Sequence, residues 1–184
     1  MKSIHIVSLC TALLTSLGSG ISGCALPYEP PRPTIQDEDL VTASYRAADA
    51  LIDQTPWLKE SHQPLLTATF VNVNALEDSS GLGRIIAEQV ASRFAQQGFT
   101  MIEMKLRSSV FIKEGAGEFV LSRSVRDISR THNAAAVVAG TYAVGRYSVY
   151  VSARLIRATD SVILASYDYN LPLGPNTKAL LASQ

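Results

Sequence analysis

Apolar positions recur at helical spacing in some stretches, in short unbroken runs in others, and in alternation near the end. Each change of period marks an element. From about residues 37–40 to 54, Val41, Tyr45, Ala48 and Ile52 fall at helical spacing, with Leu40, Ala47 and Leu51 beside them, so the segment is an amphipathic helix. Asp37, Glu38 and Asp39 suit the positive end of its dipole, and Thr55-Pro56 ends it. Trp57-Leu58 reads as a short cover and His62-Gln63-Pro64 as a loop. Residues 65–73 are rich in apolar and β-branched types without an internal breaker, which predicts one strand. After a polar loop at 74–80, residues 81–97 predict a strong helix with Leu82, Ile85, Ile86, Val90 and Phe94 on one face. Arg84, Glu88, Arg93 and Gln96 lie elsewhere on it, Ser79 or Ser80 caps it, and Gly98 supplies the left-handed exit. Residues 99–104 are the next strand, and strand–helix–strand over this length is a right-handed parallel crossover.

The second half is mostly β. Residues 110–112 predict a short extended piece, 114–117 a turn, and 118–131 a third helix with Leu121, Val125 and Ile128 inward. Residues 134–144 are almost wholly apolar, as in a central strand buried on both faces. Gly145-Arg146 turns into residues 147–157, which alternate cleanly, and 158–161 turn into a last strand at 162–170. Residues 171–184 hold turn residues and a short apolar tail that closes the sheet or frays. The predicted fold class is α+β. It has a mixed five-stranded sheet, one parallel βαβ crossover plus an antiparallel three-stranded meander, with about three helices packed mainly on one face. Tyr142, Tyr147, Tyr150, Tyr167 and Tyr169 decorate the meander, as cross-strand packing first and as a partner surface second.

The amino-terminal end follows a different logic. Lys2, an apolar run at 4–17 and the small residues Gly18, Ser19, Gly20, Ser22 and Gly23 read as a secretory signal peptide spanning 1–23. Ile21-Ser22-Gly23-Cys24 resembles the bacterial lipobox, which implies a diacylglyceryl group and a further acyl chain such as palmitate on Cys24. Stable anchoring needs more than one chain, so this modification suffices to hold the protein at a membrane. Ala25 stands where an aspartate would retain a lipoprotein at the inner membrane, so the outer membrane is expected. Residues 24–36 then form a lipidated, proline-rich tether, 37–172 the domain and 173–184 a tail. Cys10 leaves with the signal peptide, so a lipidated Cys24 leaves no thiol for a disulfide or a zinc site.

Composition narrows the function by exclusion. Lys plus Arg and Asp plus Glu balance at 16 each and are scattered, which argues against nucleic acid as a partner. The most site-like stretch is the loop from Asn72 through Ser79, Ser80, Gly81 and Gly83, at the carboxyl end of a parallel strand where α/β sheets often bind anions. It lacks a phosphate-loop lysine and a third glycine, and Glu77 and Asp78 would repel phosphate, so capping is the stronger reading. Asn72, Asn74, Glu77 and Asp78 do not have the spacing of a calcium loop. His62 and His132 share no helix face, and there is no nucleophile elbow. The expectation is no enzyme, no cofactor and no metal.

Three stretches carry a family resemblance. Ser79-Ser80-Gly81-Leu82-Gly83-Arg84, Gly98-Phe99-Thr100-Met101-Ile102-Glu103 and Ala135-Ala136-Val137-Val138-Ala139-Gly140-Thr141-Tyr142 resemble the FlgO domain of outer-membrane lipoproteins linked to flagella. The resemblance covers about residues 40–172. It implies a non-enzymatic factor supporting flagellar function and motility, held at the outer membrane through Cys24 with its domain in the periplasm or at the cell surface. It also implies protein partners in the flagellar outer-membrane apparatus, and a homo-oligomer stays open. Similar patterns in the amino-terminal domain of TolB-like periplasmic proteins and in the curli-secretion lipoprotein CsgG imply the alternative, an envelope secretion or assembly component. A small-anion-binding module is the remaining one.

Overall fold

The computed structural model describes residues 34–104, 111–114 and 118–183. Residues 1–33, read from the sequence as signal peptide, Cys24 and most of the tether, and residues 115–117 of the expected turn at 114–117 lie outside them. In chain order the elements are α1 (Leu40–Asp53), α2 (Trp57–Glu60), β1 (Leu65–Thr67), β2 (Val71–Asn72), α3 (Gly81–Gln96), β3 (Met101–Glu103), β4 (Phe111–Glu114), β5 (Glu118–Leu121), α4 (Arg123–Thr131), β6 (Ala136–Val144), β7 (Ser148–Arg157), β8 (Ile163–Pro172) and α5 (Pro175–Ala182).

The mixed sheet has the order β3-β1-β6-β7-β8. β1 runs parallel to both β3 and β6, and β6, β7 and β8 form the antiparallel meander. β2 also pairs with β6, which makes six strands where five were expected. The difference comes from a break in the predicted strand 65–73. Thr67 pairs with Val138 and Val71 with Thr141, so four steps on this strand span three on β6, and the extra residue is a bulge. Within it, Ala68 N–H still donates to Val138 O, while Phe70 N–H turns to Gly83 O on α3.

Five helices, not about three, lie among the described residues, mainly on one face of the sheet, with α4 on the other. On one face Leu65, Ala136, Val138, Val151, Ala153 and Leu155 pack against Ala47 and Leu51 of α1 and Leu82, Ile86, Val90 and Phe94 of α3. Burying each of those larger side chains contributes about 1.5–3 kcal/mol. On the other face Leu66, Val137, Ala139 and Ile156 meet Phe111, Leu121 and Val125. The third predicted helix is therefore shorter than 118–131. Residues 118–121 pair antiparallel with β4, and the helix starts only after Ser122, whose hydroxyl accepts from Val125 N–H. Leu121, Val125 and Ile128 had fitted one helical stripe, but Leu121 is buried as part of a hairpin.

The two helices on the first face are tied by polar contacts as well. Arg93 grips Asp49 with Nε and Nη2 at 2.8 and 3.0 Å, its guanidinium lies over the Tyr45 ring, and Ser44 donates to Gln89. The carboxyl-terminal tail neither closes the sheet nor frays. Residues 175–182 form α5, which packs on α3, with Pro175 in its first turn. That helix has no capping side chain of its own. Asp37 provides one, accepting from Asn176 N–H at 2.8 Å and from Thr177 N–H and Oγ1 at 3.0 and 2.8 Å.

Candidate functional site

The loop singled out in the sequence is closed on its own chain. Asn72 Oδ1 accepts from Asn74 N–H at 3.0 Å, and Asn72 N–H donates to Asp78 O, so the segment folds over itself. Ser79 Oγ donates to Phe70 O at 3.1 Å. Ser80 is the cap of α3, its hydroxyl accepting from Gly83 N–H at 3.3 Å, and its own N–H donates to the Tyr142 hydroxyl. Gly81 N–H donates to Ser183 O at 2.7 Å. Gly83 sits so close to the bulge that a Cβ there would lie 2.1 Å from Phe70 O. The N–H groups of Ser80, Gly81 and Gly83, which an anion would need, therefore already have partners.

A different site lies beside that loop. The strand order reverses at β1, because the chain crosses from β1 to β3 on one side and comes back to β6 on the other. α3 and α4 lie on opposite faces there, the arrangement at which open α/β sheets leave a crevice beyond the strand ends. The crevice is a cleft of about 630 Å³. Thr67, Ala68 and Thr69, the end of β1 and the bulge, line it together with Glu103 and Met104 from the end of β3. The opposite wall is one stripe of α3, on which Ala87 and Ala91 leave the gap and Arg84, Glu88 and Ser92 edge it.

Thr67 and Glu103 are register partners, so their side chains stand on the same face of neighbouring parallel strands. Thr67 is 3% exposed, and its hydroxyl has no hydrogen-bond partner among the described residues. Neither Glu88 nor Glu103 makes an ion pair among the described residues. Arg84 donates Nη1 to Ser79 O. Sequence reading passed over this cleft: Arg84 and Glu88 read only as the outer side of a helix, and Thr67 as one position in a strand. The available signal was the pair of alanines four apart on α3, at positions where a larger side chain would close the gap.

The remaining candidates separate. Tyr142 is buried under the α3 cap, and Tyr167 and Tyr169 face α1 with ring centroids 5.9 Å apart. Tyr147 and Tyr150 are exposed at 65% and 62%. His62 Nδ1 lies 2.7 Å from Glu60 O, and His132 closes the end of α4. Among the described residues no three His, Cys, Asp or Glu side chains are grouped to hold a metal, and no helix is long and apolar enough to cross a membrane.

The family model for the FlgO protein matches residues 45–176 of the chain. No curated protein matches its sequence significantly. Among solved structures it is similar to the LpoB C-terminal domain from Salmonella enterica, at TM-score 0.49 and 11% identity, covering 72% of this chain and 98% of that one. The NMR structure of E. coli LpoB gives 0.48 and 14%, with 90% and 84% covered. A dodecamer of a PelC point variant from Paraburkholderia phytofirmans gives 0.41 and 14%, with 61% and 72% covered. Structural likeness at these scores carries nothing about function, whereas the family match spans most of the domain.

Proposed function

We propose, because this chain belongs to the FlgO family, that it is a bacterial outer-membrane lipoprotein acting as a non-enzymatic structural or assembly factor for the flagellum. The observation that carries the reading is the family match over residues 45–176, and family membership supports an envelope lipoprotein at the least. The amino-terminal residues agree with it. A signal peptide ending at Gly23 delivers Cys24 for lipidation, and two or more acyl chains there anchor the protein stably. The proline-rich residues 26–33 lie in the sequence between that cysteine and the domain. The domain faces the periplasm in this reading and works by contacting protein components of the flagellar outer-membrane apparatus. Nothing in it calls for a bound cofactor.

The test combines a deletion with one point variant. A strain lacking the gene is expected to swim poorly or carry damaged flagella, and the wild-type gene restores it. Cys24→Ser is expected to release the protein from the outer-membrane fraction and fail to restore swimming. Normal swimming with intact flagella in the deletion strain would remove the flagellar role, and membrane retention of the Cys24→Ser protein would remove the anchor.

A further inference from the structure

We propose that the cleft beside Thr67 binds an alkylammonium group, the chemistry of a lysine side chain or of a free aliphatic diamine. The starting point is Thr67, a residue lining the cleft whose hydroxyl is buried and without a partner among the described residues. A buried polar atom left unpaired destabilises the fold, so a group that completes it is favoured there. The charges around it set the sign of that group. Glu103 stands next to Thr67 across the β1–β3 pair, and Glu88 lines the same cleft from α3. Neither carboxylate has an ion-pair partner among the described residues, and together they outnumber Arg84, whose Nη1 is already directed to Ser79 O.

An ammonium carries three donors and no acceptor. Thr67, Glu88 and Glu103, residues with acceptor oxygens, line the same cleft from its two walls. Ala87, Ala91 and Met104 line the rest and offer apolar surface to a methylene stem. A metal ion suits the place poorly. No grouping of three metal-binding side chains exists among the described residues, and about 630 Å³ is the space of a small organic molecule.

The test uses the full chain in detergent micelles, labelled with ¹⁵N and titrated separately with cadaverine and with Nα-acetyl-lysine amide. Saturable shifts are expected at the amides of Thr67, Ala91 and Glu103, with none from pentanol, which has the stem and no charge. The Glu88→Gln/Glu103→Gln double variant is expected to bind at least about tenfold more weakly, the scale of losing hydrogen bonds to charged groups. Thr67→Val, which keeps the shape and removes the third acceptor, weakens binding further while the urea midpoint holds or rises. A response confined to cadaverine assigns the site to a free amine, and a stronger response to the lysine amide assigns it to a partner's lysine; both support the proposal. No saturable shift with either amine up to about 10 mM, a range that spans even weak binding, would overturn it, as would equal binding by the folded double variant.

Discussion

Gly140 shows how much one side chain decides. Phe70 is fully buried, and its ring lies over Gly140 so closely that a Cβ there would fall 2.2 Å from Cε1, with Ser152 O at 2.6 Å. The ring has no free space to swing into because Phe70 is fully buried, and its backbone is held by Gly83 O and by the Ser79 hydroxyl. Gly140→Ala is therefore expected to cost about 1–3 kcal/mol, the usual penalty of overfilling a packed core. A urea titration reads it as a lower midpoint at unchanged slope. Pairing the change with Phe70→Leu should recover part of the loss, since residues in contact do not add independently. A glycine inside an apolar strand is a readable sign of close backbone approach. Which residue approaches is not readable, because Phe70 lies outside any local window around Gly140. Thr67 is the same kind of case: its lack of a partner is a property of the fold, and a threonine in a strand is otherwise ordinary.

At the level of elements, β8 is a long edge of the sheet, and α1 guards part of it. Gln54, the residue that ends α1, donates its amide to Ser166 O at 3.0 Å and accepts from Ser166 N–H at 3.3 Å, so one side chain imitates a neighbouring strand. An unpaired edge is a template for further pairing, and a plug of this kind blunts it. Gln54→Ala is expected to lower stability by about 1 kcal/mol and to speed amide exchange at Ser166, measured by native-state hydrogen exchange. The elements themselves were legible where their causes are local. The apolar stripe of 40–53, the caps before α3, the alternation of β7 and the turn before β8 all sit within a few residues of what they determine. The failures share the opposite feature. The bulge at 68–70 is imposed by α3 and β6, β5 is made by pairing with β4, and α5 depends on a cap 139 residues away. The cleft was hidden for the same reason, since Thr67, Ala87 and Glu103 meet only once the crossover is made.

At the scale of the whole molecule, Asp37 joins the leading end of the domain to its last helix. Partial desolvation pushes its carboxyl up, but hydrogen bonds from the Thr177 and Asn176 N–H groups and the Thr177 hydroxyl hold it below the ordinary aspartate value. A carboxyl lowered on folding contributes stability that is present above its unfolded value, near 3.9, and is lost as pH falls through the folded one. Asp37→Ala is expected to cost about 1 kcal/mol at neutral pH, as for a lost helix cap. The gap from wild type should narrow below about pH 4, which urea midpoints at pH 7 and pH 3 would show. Equal gaps at both values would mean that the carboxylate charge plays no part. Gly174 fits the same joint, because a Cβ on it would meet the Asp37 carboxyl at 2.4 Å.

That joint also sets where the protein yields under tension. A pull arriving along the chain from residue 34 reaches Asp37 before it reaches α1, and three hydrogen bonds carry the load there. Their release would free roughly 10 Å of extended chain while the sheet and both its faces stay intact. A domain pulled from its leading end would thus have a short elastic fuse ahead of its core.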